Sequence, residues 1–458
     1  MSDKLAKTTH IRDFTQGKIF SQLFVLAMPL MAVSFIQMTY SLVDIIWIGR
    51  LGSESVAAVG TIGMIMWLMN SLALTSKVSA EISIGQSVGA KRLDQATIYA
   101  SHTTTLAIIL GVIFALLFIA IPHPFVSFFK LQNDIAEEAT IYLRIVAFGL
   151  PFVFLILNFS GIYIGLGRSD ISFYFNGIGL ILNIILDPVF IFGIGPVPAL
   201  GSAGAATATC LSQVVVLMLF VYHLKKKNGL LGSFPFFIRL HKRHLRNILK
   251  LGLPVAAMNM YFAFISMNLA RIASIYGGHL GVTSQTAGGQ IEGITWSTSQ
   301  GFSTALGSFV AQNYAAHRMD RAWKAYRYTL FLMGTLGIII SLGFILKGEN
   351  IFALFIPEKA AYEAGGEYLF IMGISQLFMM LELTTQGMFN GIGKTTIPAV
   401  ISIAFNTLCI PLAVFLAGTM GITGVWWAIS LSSILKGIVS PTWFYFLQRK
   451  IRSASRQK

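Results

Sequence analysis

The chain has 458 residues, 55% of them hydrophobic and only 11% charged, with a net charge of +15 and a mean hydropathy of +0.72. A soluble domain carries roughly 25% charged residues, so this composition excludes one. Apolar stretches of ~20 residues recur along the whole length, each enough to cross a bilayer as a helix, and mark an all-α, multi-pass membrane protein.

Twelve spans are expected, at about 19–47, 57–80, 95–121, 136–164, 171–193, 204–224, 248–276, 285–310, 322–346, 366–390, 397–416 and 422–447. The first is too long for a signal-peptide core and no cleavage site follows it, so it reads as a retained helix. The basic excess is not a nucleic-acid signature. Between His223 and Lys250 there are eight Lys/Arg and no acid, and the tail "QRKIRSASRQK" is also basic. Asp134, Glu137, Glu138, Glu349, Glu358, Glu363 and Glu367 lie in other loops. This is the positive-inside bias, and it puts both termini in the cytoplasm.

The two halves repeat. "QSVGAKRLDQA" (86–96) matches "QNYAAHRMDRA" (312–322), "GRLG" (49–52) matches "GHLG" (278–281), and "GSAGAATATCLS" (201–212) matches "GITGVWWAISLS" (421–432). Pro29 in "AMPL" and Pro254 in "GLPV" fall at equivalent points. Order is kept and each half has six spans, so these are parallel repeats. The expected organisation is an N-terminal lobe over 1–222, a basic linker over 223–250 and a C-terminal lobe over 251–458. A cleft is expected between the lobes, opened to either side in turn as they rock.

Departures from the repeat are the candidates for function. Asn183–Pro188 matches Asn406–Pro411, so Asp187 corresponds to Ile410; Asp44 corresponds to Leu269 and Thr209 to Ile429. Counted at ~1.5 Å per residue, Asp44, Asp187 and Thr209 all reach the outer half of the membrane. Asn183 lies one turn from Asp187 on the same face. A charge at bilayer depth costs at least ~2.5 kcal/mol unless paired, hydrated or neutralised. Clustered carboxyls hold protons more tightly, because like charge and low dielectric both disfavour ionisation. Such a pair takes up a proton or a hard cation such as Na⁺, with Asn and Thr oxygens as further ligands. Pro188 leaves the carbonyl of residue 184 without its helical partner and provides a hinge. The alternative is a polar cluster that fastens helices together.

Other embedded groups carry competing readings. Glu382 in "MMLELTTQG" sits mid-membrane and either attracts a cationic substrate or is hydrogen-bonded between helices. Glu292 in "GGQIEGITW" either contacts substrate or belongs to a vestibule. Lys77 and Glu81 are spaced to pair along one helix, though Lys77 could instead serve as counter-ion to Asp44 or Asp187. Met64, Met66 and Met69 fit either an adaptable pocket or a core stripe. His279 and His317 read as solvated loop residues. The cysteines, Cys210 and Cys409, fall in apolar segments and indicate neither disulfides nor a metal site. With no nucleotide loop, metal-ligand spacing or nucleophile triad, no enzyme and no cofactor are expected.

"QMTYSLVDIIWIGRLG" (37–52), "LNIILDP" (182–188) and "GAATATCLS" (204–212) together resemble the multidrug and toxic compound extrusion (MATE) transporters, in their DinF-like bacterial and archaeal branch; the likeness covers nearly the whole chain. It implies twelve helices in two pseudo-symmetric six-helix bundles and efflux of amphipathic, often cationic compounds, driven by inward H⁺ or Na⁺. In that branch the residues matching Asp44, Asn183, Asp187 and Thr209 form the cation site, and those matching Gln37 and Tyr40 border the drug pocket. Asn158 lies about one turn before the branch's pocket asparagine. The seventh span, "LPVAAMNMYFAFISMNLARIAS", lacks the glutamate that another branch uses. The expectation is thus a monomeric antiporter of the plasma membrane, with lipids as neighbours and drugs as cargo. Its rivals are a lipid-linked saccharide flippase of the same superfamily, for which Lys77 and Arg271 are the obvious cations, and a passive pore.

Overall fold

The computed structural model describes residues 11–129, 131–195, 197–226, 234–356 and 358–456. The expected cytoplasmic ends of the chain, 1–10 and 457–458, and the centre of the basic linker, 227–233, lie outside the described residues, as does the side chain of His279.

The chain is helical throughout: α1 (Ile19–Gly49), α2 (Ser53–Gly89), α3 (Leu93–Ala120), the short α4 (His123–Ser127), α5 (Asn133–Gly165), α6 (Ser169–Phe192), α7 (Ser202–Lys226), α8 (Lys242–Ala315), α9 (Met319–Ala353), α10 (Lys359–Gly391), α11 (Thr396–Met420) and α12 (Ile422–Arg456). Among the described residues, eleven segments are long and apolar enough to cross a membrane. The twelfth expected span, 285–310, is the second arm of α8, which breaks at Gly278 (φ 55°, ψ −149°). Glycine takes that conformation without steric cost. The arm is helical but rich in Ser, Thr, Gln and Gly, and many of its polar side chains are buried, Ser284, Thr295, Ser297, Thr298, Ser299, Ser303 and Ser308 among them. Most helices also outrun their predicted spans, because hydropathy sees only the part in hydrocarbon.

The helices form two compact units. The first comprises residues up to Gly17, Met28–Ala256 and Ala311–His317; the second comprises Lys18–Ala27, Ala257–Val310 and Arg318 onward. These units do not share their bounds with the lobes and linker expected from the sequence. The units divide within α1 just before Pro29 and within α8 just after Pro254. The linker's described part is fastened to the first unit. Thr105 donates to the Phe236 carbonyl (3.2 Å) and accepts from the Ile238 amide (3.1 Å), while the His241 amide donates to His102 Nε2 (3.3 Å). Ser79 then holds the Ile248 carbonyl (2.6 Å), so the start of α8 belongs to the first unit as well.

In the first unit α5 is central, packed against α2, α3, α6 and α7; in the second, α10 packs against α9 and α12, and α11 against α12. Glycine sets the key approach in both. A Cβ on Gly161 of α5 would strike the Lys77 carbonyl of α2, and one on Gly165 would lie 2.8 Å from the Glu81 carbonyl. At the matching places of the second repeat, Gly387 of α10 faces the Ser303 carbonyl and Gly391 lies 2.6 Å from that of Gly307. The αα turns repeat too: among the described residues Lys91 and His317, equivalent in sequence, are the non-glycine residues with positive φ, both 58°.

Gly161→Ala and Gly387→Ala should each lower thermal stability in detergent, by about 1–3 kcal/mol, the usual cost of forcing a side chain into filled space. Gly343→Ala, where nothing lies within 4 Å, should not. Equal melting of all three variants would contradict this account of the helix contacts.

Candidate functional site

α6 carries Asn183 and Asp187 one turn apart, both fully buried. The Asn183 amide donates to Asp187 Oδ1 (3.0 Å) and to the Thr209 hydroxyl of α7 (3.3 Å). From α1, the Asp44 carboxyl comes within hydrogen-bonding reach of Asp187. Two carboxyls can approach in this way only with a proton or a cation between them. The four residues expected to form one site thus lie together in the first unit. Pro188 sits inside α6, directly after the acid.

The oxygens of this cluster are under-satisfied. Asp44 Oδ1, Asn183 Oδ1 and Asp187 Oδ2 are buried with no hydrogen-bond partner. A hydrogen-bonded fastening favours matched acceptors; here two carboxyls and an amide in one cluster each keep a buried oxygen without a donor. Such an oxygen set suits a proton or a hard cation. Among the described residues, no three His, Cys, Asp or Glu side chains are grouped as a metal centre would need.

Two tyrosines lie around the acids: Tyr142, which sequence reading missed, and Tyr40, which it expected at the substrate pocket. Buried Tyr142 of α5 lies within electrostatic reach of Asp44, Asp187 and Cys210. Tyr40, one turn before Asp44, lies near the same groups and Ser212. Tyr142 had a legible signal. Its repeat partner is Tyr368, and in the second unit Tyr368 also serves an acid, donating to Glu292 Oε1 (2.6 Å).

The other expected substrate residues are placed differently. Gln37 is exposed on α1. Asn158 is fully buried and donates to the Thr104 hydroxyl (2.9 Å), tying α5 to α3. Glu292 accepts from Tyr368 and from Gln376 Nε2 (3.0 Å), and Thr295 in turn donates to Gln376 Oε1 (2.9 Å). Glu382 accepts from Ser402 (2.9 Å) and faces the ammonium of Lys436 at 3.8 Å. The structure brings none of Asn158, Glu292 and Glu382 to the Asp187 cluster. Lys436, a lysine within the last apolar helix, is the ionic partner that sequence reading overlooked. Lys77 and Glu81 act on each other electrostatically along α2.

Two homologous helical repeats and an acid cluster buried in one of them define a multi-pass membrane protein of the duplicated, transporter-like kind. The MatE family model matches it twice, over residues 29–189 and 254–415, once in each repeat and starting at each repeat's proline. The chain belongs to the MatE family. It is 26% identical over 423 residues to "Probable multidrug resistance protein YoeA" of Bacillus subtilis (strain 168), covering 90% of each. It is 25% identical over 425 residues to "Probable multidrug resistance protein NorM" of Thermotoga maritima, covering 89% of this chain and 88% of that one. Its fold matches a crystal structure of MATE in the bent conformation with a TM-score of 0.90 at 24% identity, over 97% of this chain and 98% of that one.

The placement of Asn158 predicts a structural role. Asn158→Leu should cost about 1–2 kcal/mol, the price of a buried hydrogen bond. The double variant with Thr104→Val should cost less than the two single changes together. Strict additivity in a double-mutant cycle would remove Asn158 from this role.

Proposed function

We propose that this chain is a secondary active exporter of amphipathic, often cationic organic compounds, driven by H⁺ or Na⁺ entering at Asp44, Asn183, Asp187 and Thr209. One observation carries the reading: three buried acceptor oxygens of the Asp44–Asn183–Asp187 cluster have no donor. In a membrane interior, unmatched oxygens of two adjoining carboxyls and an amide favour taking up a positive ion. The names of the relatives, both multidrug resistance proteins, support the substrate class.

Binding a cation would cancel the repulsion between the acids and draw the oxygens of α1 and α6 together. The Asn183 amide donates into the cluster and keeps its own oxygen for the ion. Pro188 removes one backbone hydrogen bond from α6, so the helix can bend next to the site without breaking a ladder bond. Ion binding in one state and release in the other couples the ion gradient to export by alternating access. The basic segments support a plasma-membrane protein with both termini in the cytoplasm, and the reading requires one chain only.

Asp187→Asn keeps size and hydrogen bonding but cannot exchange a charge. Reconstituted in proteoliposomes with independently imposed pH and Na⁺ gradients, this variant should lose gradient-driven dye export while eluting as a folded protein. Export at the wild-type rate would overturn the proposal. Export by wild-type protein without either gradient would point to a passive path.

A further inference from the structure

The two repeats dispose of the same amide oxygen in opposite ways. Asn183 and Asn406 are equivalent. In the first unit Asn183 Oδ1 is buried without a partner. In the second, Asn406 Oδ1 accepts a hydrogen bond from the ammonium of Lys436 at 3.2 Å. Lys436 and Glu382 are both 11% exposed at the side chain. Within this unit, then, an ammonium group fills the site that the first unit leaves without a donor.

The surroundings fit a cation held permanently. Where the first repeat has Asp187, Asp44 and Thr209, the second has Ile410, Leu269 and Ile429, so it offers no acid of its own at those places. The balancing charge comes from Glu382 of α10, 3.8 Å from the ammonium and steadied by Ser402. Ser402 and Asn406 stand one turn apart on α11, one holding the carboxylate and the other the ammonium. The buried Cys409 thiol, also on α11, lies within electrostatic reach of Lys436 too. An ammonium and a carboxylate brought in by the chain itself leave no charge for an outside ion to balance.

We infer that Lys436 is a tethered cation that occupies the second repeat's counterpart of the ion site, so that Glu382 exchanges neither proton nor sodium and ion coupling is confined to the first repeat. The inference rests on the ion-coupled reading above, but its signature is separate. Removing the ammonium should turn the second repeat into a new site that takes up an ion, adding to the first rather than replacing it.

Difference infrared spectroscopy of the carboxyl stretch, between acidic and neutral pH and with and without Na⁺, tests it on the full chain. In wild type, Glu382→Gln should remove no titrating band. Lys436→Met should add one carboxyl band that titrates or responds to Na⁺, and the double variant Lys436→Met/Glu382→Gln should lose it again. Because the double variant replaces the ion pair with uncharged groups, it stays interpretable if the single lysine change misfolds: its spectrum should then equal that of wild type. In proteoliposomes, ions moved per substrate by Lys436→Met should rise up to twofold. A wild-type band that disappears in Glu382→Gln, or a folded Lys436→Met protein with the wild-type spectrum, would overturn the inference. Failure of the ion-coupled reading itself would appear elsewhere, as unchanged bands in Asp44→Asn and Asp187→Asn.

Discussion

A bilayer interior offers no water to a polar group, and every other feature of this chain follows from that constraint. Backbone amides must be satisfied within each segment, so the described segments that cross the membrane are helices. Helices in hydrocarbon gain little from apolar burial against one another, so close packing has to come from small residues. Gly161 and Gly165 on α5 supply it in one repeat, Gly387 and Gly391 on α10 in the other. Side-chain donors then find carbonyls nearby, as Ser303 finds that of Leu383 (2.6 Å). Buried oxygens without donors occur elsewhere in the fold as well, but at Asp187 two carboxyls and an amide of one cluster each keep such an oxygen.

Duplication lets chemistry diverge while the scaffold stays fixed. The glycine contacts, the αL turns at Lys91 and His317, and the tyrosines Tyr142 and Tyr368 keep their places in both copies. The charges do not. The first copy places two acids where the second is aliphatic. The second adds Glu292, bound by Tyr368 and Gln376, and Glu382, faced by Lys436. Glu292 and Glu382 of the second unit have donors of their own, whereas Asp44 and Asp187 of the first each keep a buried oxygen without one.

Much of this was legible in the sequence because its signals are local or periodic. Hydropathy marks spans, and the double copy shows which departures from symmetry to examine; Asp187 against Ile410 led directly to the cluster. What was not legible depends on contacts made across helices. The boundary at 223–250 looked like a linker because it is basic, but His102, Thr105 and Ser79 clasp it to the first unit. Asn158 and Glu292 read as substrate groups because they are polar and deep, but hydrogen bonds tie the Asn158 amide nitrogen to Thr104 and the Glu292 carboxylate to Tyr368 and Gln376. Lys436 was passed over because its partner Glu382 lies on another helix, far off in sequence. Tyr142 was passed over for the opposite reason: symmetry retained it, and attention had gone to what symmetry lost.

The polar second arm of α8 bears on how the protein is made. Ser, Thr, Gln and Glu292 on that arm are too polar for the segment to enter lipid on the strength of its own apolarity. Three of them bond to α10: Thr295 to Gln376, Glu292 to Tyr368 and Ser303 to the Leu383 carbonyl. At the moment the arm leaves the ribosome, α10 has not been synthesised. The arm must therefore wait beside the translocon, or at the membrane surface behind the bend at Gly278, until its partner helix arrives. Insertion of this half is a concerted event among helices rather than a series of independent ones, and the order of synthesis becomes part of the fold.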